Sequence, residues 1–132
     1  MHNPSEQSNE LPNTARDDWA MLRAFALGLP GAYEDNPWGE CVVKVNKKVF
    51  VFLGMEPAAD AGLAFSTKLP VSGADVLSLP FTEPTGYGLG KHGWVTVRFL
   101  PGEQAPIDVL RDWIIESYRA IAPKRLVAQL AE

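Results

Sequence analysis

The segment Cys41–Leu53, CVVKVNKKVFVFL, constrains the fold of this chain more than any other. Two runs rich in Val and Phe, Cys41–Val45 and Val49–Leu53, flank the polar triplet Asn46-Lys47-Lys48. β-Branched and aromatic side chains suit a pleated strand, and two such runs joined by a short polar tip make a β-hairpin. The hairpin commits the chain to an antiparallel sheet, and the rest of the sequence must extend and cover it.

Further strands are expected at Leu63–Thr67 and at Trp94–Leu100. In the latter, Trp94, Thr96 and Arg98 alternate with Val95, Val97 and Phe99. The cover is helical. Thr14-Ala-Arg-Asp17 resembles a capping box, and Trp19, Leu22, Phe25, Ala26 and Leu29 share one stripe, so a helix is predicted over 15–28. A second, longer helix follows Pro106, with Ile107, Leu110, Trp113, Ile114, Ser117, Tyr118 and Ile121 at helical spacing. Pro123 breaks it, and Lys124–Leu130 continues as a shorter helix. Ser72-Gly-Ala-Asp75 opens a short helix over 73–78. Leu29–Gly39, with two Pro and two Gly, reads as a loop. Pro80–Gly93 is irregular, with a short strand near Tyr87–Leu89. The fold class is α+β: a single compact domain over 14–132, its antiparallel sheet packed mainly on one face by helices. Residues 1–13 read as a disordered leader.

At 132 residues the chain has room for one core, and 46% hydrophobic with 21% charged residues is a globular composition. The net charge of −4 is unevenly spread. Residues 1–40 hold two basic against seven acidic residues, residues 41–98 six against four, and residues 99–132 four against five. Polyanion contact therefore falls to the middle of the chain. The single cysteine, Cys41, excludes an intrachain disulfide and fits a reducing cytoplasm. No apolar stretch is long enough to span a membrane.

No reaction chemistry is written in the sequence. Thr85-Gly-Tyr-Gly-Leu-Gly-Lys91 departs from a phosphate loop at its first position, at His92, and in leading to a strand. Its glycines give a flexible loop. Glu34, Asp35 and Glu40 sit in a Pro/Gly-rich loop and read as solvated. His92 stands alone, so neither a metal site nor a triad with Cys41 is expected. Lys44, Lys47 and Lys48 lie on or near the hairpin tip. Lysines there discourage edge pairing, and the same side chains can reach phosphates. Lys68 and Lys91 could extend that surface. A different reading takes Tyr33, Trp38 and Trp94 as a ligand pocket, against Trp38 as an anchor packed over the first helix. Trp113 belongs to the core.

Leu29-Pro-Gly-Ala-Tyr-Glu-Asp-Asn-Pro-Trp-Gly39 resembles the N-terminal signature of the MmcQ/YjbR family. The resemblance continues through Lys44-Val45, Lys48-Val49-Phe50, Lys68, Lys91-His92-Gly93-Trp94-Val95, Ser117-Tyr118 and Lys124. It implies a YjbR-like α+β domain, cytoplasmic and monomeric, with a double-wing arrangement suggestive of DNA binding and no established catalytic residues. The combined expectation is a non-enzymatic domain without cofactor or metal. It binds DNA weakly through its phosphates, using Lys44, Lys47, Lys48, Lys68 and Lys91. The alternative is a protein- or small-ligand-binding adaptor built on Tyr33, Trp38 and Trp94.

Overall fold

The computed structural model describes residues 14–58 and 60–131, so the leader expected over residues 1–13 lies outside the described residues. Thr14 opens the first helix by the reciprocal cap that its sequence implies. Its Oγ1 accepts from the Asp17 amide at 3.1 Å, and the Asp17 carboxylate accepts from the Thr14 amide at 3.4 Å. Helix α1 runs Ala15–Leu27 and turns Trp19, Leu22 and Ala26 inward.

Six strands follow: β1 (Tyr33–Asp35), β2 (Cys41–Val45), β3 (Lys48–Gly54), β4 (Leu63–Lys68), β5 (Thr82–Pro84) and β6 (Trp94–Phe99). They form one antiparallel sheet in the order β1-β2-β3-β4-β6-β5. The β2–β3 loop is only Asn46-Lys47, both left-handed at φ 52° and 69°, as a two-residue hairpin loop with right-handed strand twist demands. Helix α2 (Gly73–Val76) follows β4. Helix α3 (Ile107–Ile121) and the short α4 (Lys124–Val127) close the chain, with a 3-10 turn at Ala128–Ala131.

Helices α1 and α3 lie on one face of the sheet. Val43, Val45, Phe50, Leu53, Phe65, Val95 and Val97 meet Leu22, Leu110, Ile114 and Tyr118 there, all essentially out of water. The Phe50 and Tyr118 rings meet edge to face. Ser117 locks α3 onto the sheet. Its hydroxyl donates to the Phe50 carbonyl at 2.6 Å and accepts from the Lys68 amide at 2.8 Å, bridging β3 and β4 beyond their last paired residues. Gly62 permits a close approach before β4, since a Cβ there would stand 2.1 Å from the Phe99 carbonyl oxygen.

Three local expectations change. Tyr33–Asp35, read as loop, is an edge strand, held on β2 by tertiary pairing that a three-residue segment cannot announce. The strand expected near Tyr87–Leu89 lies instead at Thr82–Pro84, where Pro84 is tolerated because β5 is an edge. Gly86 and Gly88 turn the chain between them. Ser72 makes no side-chain cap on α2, because its hydroxyl and amide both bond the Glu116 carboxylate, at 2.6 and 2.9 Å.

Candidate functional site

Antiparallel topology gives the sheet two unlike ends. At one end lie the Asn46-Lys47 turn, the end of β4 at Lys68 and the start of β6, since Lys68 pairs with Trp94. The same end receives the C-terminus of α3. About 22 Å of helix carries the chain back from the far end of β6, and Ser117 and Tyr118 then bond Phe50 and Pro30. Helix α4 folds against it too: a Cβ on Gly31 would meet Leu126 at 2.9 Å and Val45 at 3.6 Å. The opposite end carries Glu40, the β3–β4 connection with Glu56 and Asp60, and Glu103 before α3.

The basic residues divide along this axis. Five of the twelve lie in ion pairs: Arg16 with Glu56, Arg23 with Glu34, Lys44 with Asp35, Arg98 with Glu83 and Arg111 with Asp108. The other seven, Lys47, Lys48, Lys68, Lys91, Arg119, Lys124 and Arg125, have no ion-pair partner among the described residues. All seven lie at the hairpin-tip end. Among the described residues, two acids share that end. Asp75 sits on α2, and the Glu116 carboxylate is occupied by the amides of Val71 and Ser72 and the Ser72 hydroxyl. Opposing charge among the described residues at that end is thus small, and six of its seven cations are exposed, Lys68 being half-buried.

Two projections rise from this end. One is the hairpin loop with Lys47 and Lys48, both exposed. The other is the loop from Thr85 into the 3-10 turn Gly90–His92, with Lys91 and His92 exposed and Tyr87 wholly in solvent at 104% relative exposure. The non-glycine residues with positive φ among the described residues are Asn46, Lys47 and Tyr87, at the summits of these projections. Glycine would be less strained at each, although Asn tolerates the conformation best of the three.

The expected lysines therefore separate. Lys47, Lys48, Lys68 and Lys91 lie at one end of the sheet. Lys44 is bound to Asp35 at 2.7 Å across β1 and β2, and this hydrogen bond raises the ammonium above its ordinary value while holding the Asp35 carboxyl below its own. Arg119, Lys124 and Arg125 reach the same end on the helical flank, though none was among the cations expected to contact DNA. The Lys-Arg doublet directly after Pro123 was the available signal.

Of the carboxylates expected to be solvated, Glu40 is exposed, whereas Asp35 holds Lys44 and Glu34 is engaged as well. Glu34 accepts from Arg23, which lowers its pKa, and from Asn36 at 3.1 Å. Cys41 is buried beside that pair. Burial first, and the Glu34 carboxylate second, push its thiol up to about 11, leaving it an inert small hydrophobe at neutral pH.

Tyr33, Trp38 and Trp94 do not form a pocket. Tyr33 and Trp94 sit on β1 and β6, four strand spacings or roughly 19 Å apart across the sheet. Trp38 is 87% exposed in the β1–β2 loop, at the opposite end from Trp94, and does not pack over α1. Trp94 is buried against Phe52 on the sheet face that carries no long helix, with ring centroids 5.0 Å apart. A groove of about 650 Å³ lies elsewhere, between Pro80–Glu83 and Arg98–Pro106, and contains none of the three. No His/Cys/Asp/Glu group among the described residues could hold a metal ion, and no described helix is long and apolar enough to cross a membrane.

A family model described as YjbR matches residues 27–120. The crystal structure of Deinococcus radiodurans protein DR2400, described with the domain name DUF419, superposes with a TM-score of 0.62 at 23% identity, covering 83% of this chain and 85% of that one. No curated protein matches.

Proposed function

The chain belongs to the YjbR family, and we propose that it binds DNA weakly through the phosphate backbone, at the end of its sheet that carries the hairpin tip. The observation that carries this reading is the segregation of charge. Five basic side chains are paired within the fold, and the seven without an ion-pair partner among the described residues share one end. A protein of net charge −4 can approach a polyanion only with such a face turned toward it.

The type of cation fits backbone contact without base readout. Lysine is a flexible point charge on a long stem, and five of the seven are lysines. Guanine recognition needs a guanidinium fork held at a base edge, whereas Arg119 and Arg125 lie on the helical flank, away from both projections. Backbone strain adds weight. Lys47 holds φ 69° at a position where glycine costs less, and strain of this kind collects at functional sites. In this reading the domain acts as a single chain in the cytoplasm, without cofactor or enzymatic chemistry, and its two projections are the wings.

Affinity for fluorescent duplex DNA as a function of salt tests the proposal. If about four of the cations displace counterions, log K falls against log salt with a slope of about −3.6. Lys47→Glu with Lys48→Glu abolishes binding. Absence of binding at about 50 mM salt, or binding that ignores this charge reversal, overturns the reading.

A further inference from the structure

Tyr87 is out of place on a surface meant only for phosphates. Its ring is 104% exposed, the most exposed large hydrophobic residue among those described. It lies between Gly86 and Gly88, and at that exposure no neighbour covers either ring face. Its backbone is left-handed at φ 60°, a conformation that Tyr adopts at a cost and Gly does not. Lys91 belongs to the same loop, its Cε 3.7 Å from where a Cβ on the neighbouring Gly88 would stand, so an ammonium accompanies the ring on this projection. Lys68 and the hairpin tip continue the positive charge across the sheet end, the two projections being roughly 12–14 Å apart.

An exposed aromatic ring in a cationic surface is the arrangement that holds unpaired bases: lysines follow the backbone while the ring takes a base face. Base faces in a duplex are covered by their neighbours, so only a single strand, a frayed end or a bulge offers one. Resting on the backbone-binding reading above, we infer that Tyr87 is a base-stacking residue and that the preferred ligand is single-stranded rather than duplex DNA. Stacking is indifferent to base identity, so the site is selective for strandedness and tolerant of sequence.

The test is fluorescence anisotropy with labelled oligo(dT) and with a duplex of equal phosphate count, for the wild type and for Tyr87→Ala, Tyr87→Phe and Tyr87→Gly. The wild type is expected to prefer oligo(dT). Tyr87→Ala loses about ten-fold in oligo(dT) affinity and little in duplex affinity, and Tyr87→Phe retains both. Tyr87→Gly relieves the backbone strain, so it folds at least as stably as the wild type and still loses oligo(dT) affinity, which separates recognition from folding. Equal losses on both ligands in Tyr87→Ala, or no loss on either, overturn the stacking role while leaving backbone binding intact. Failure of the wild type to bind either ligand at about 50 mM salt removes both readings. Tyr87-dependent binding to phosphatidylserine vesicles with no preference between the two DNA forms assigns the ring to a lipid surface and overturns the inference.

Discussion

Replacing Ser117 by Ala deletes one oxygen from the face of α3 and tests how the sheet end is assembled. Ser117 is wholly buried, and its hydroxyl makes two short hydrogen bonds, to the Phe50 carbonyl and from the Lys68 amide. Each bond contributes about 1 kcal/mol net, and its loss leaves a backbone group unpaired. The Phe50 carbonyl lies in the core and bears its full desolvation cost. Lys68 is half-buried, so water partly recovers its amide. The expected destabilisation is about 2–3 kcal/mol, or roughly 8–12 °C in Tm for a domain of this size. Urea unfolding followed by tryptophan fluorescence reads it as a lower midpoint at unchanged m-value. A change below about 0.5 kcal/mol, the ordinary size of a surface substitution, would refute the role given to this hydroxyl. Because Lys68 hangs from the same bond, DNA affinity in the folded variant falls as well.

Further outcomes follow from other residues. Lys47→Gly relieves a left-handed backbone and stabilises the hairpin by roughly 0.5–1 kcal/mol, while the salt slope of DNA binding becomes about one unit shallower; thermal melts and salt titrations read the two effects. Glu34→Gln removes a carboxylate whose folded pKa lies below its ordinary 4.5. Its stabilisation is complete above that value and is lost as pH falls through the folded one, so the stability gap between wild type and variant closes on acidification below about pH 4.5. Cys41, with its thiol pushed up to about 11 from 9.0, reacts with Ellman's reagent at pH 8 about 100-fold more slowly in the native protein than in urea, and Glu34→Gln narrows that difference.

What could be read along the chain follows from length and period. The hairpin, β6, α1 and α3 each carry enough residues for alternation or helical spacing to show. The edge strands β1 and β5 have three residues each, and only their partners make them strands. The site divides the same way. Lys47 and Lys48 were legible because the turn they occupy is local. Their meeting with Lys68 and Lys91 depends on β6 inserting between β4 and β5, and the arrival of Arg119, Lys124 and Arg125 depends on α3 folding back over the sheet. Lys44 was misjudged for a related reason: its partner Asp35 belongs to a strand that the Pro- and Gly-rich surroundings disguise. Trp38 attracted notice as a large aromatic in a loop, yet the ring that stands beside the cations is Tyr87, hidden in a segment whose glycines suggested only slack.

Backbone amide shifts recorded by NMR during titration with oligo(dT) test the central claim most directly. Perturbed amides are expected over 46–48, 68–72, 86–93 and 119–125, all at one end of the sheet, with those of 36–40 and 98–106 unmoved. Shifts concentrated instead around the Trp38 loop or the groove beside Arg98, or scattered without regard to the sheet axis, would contradict the assignment of that end as the DNA-binding surface.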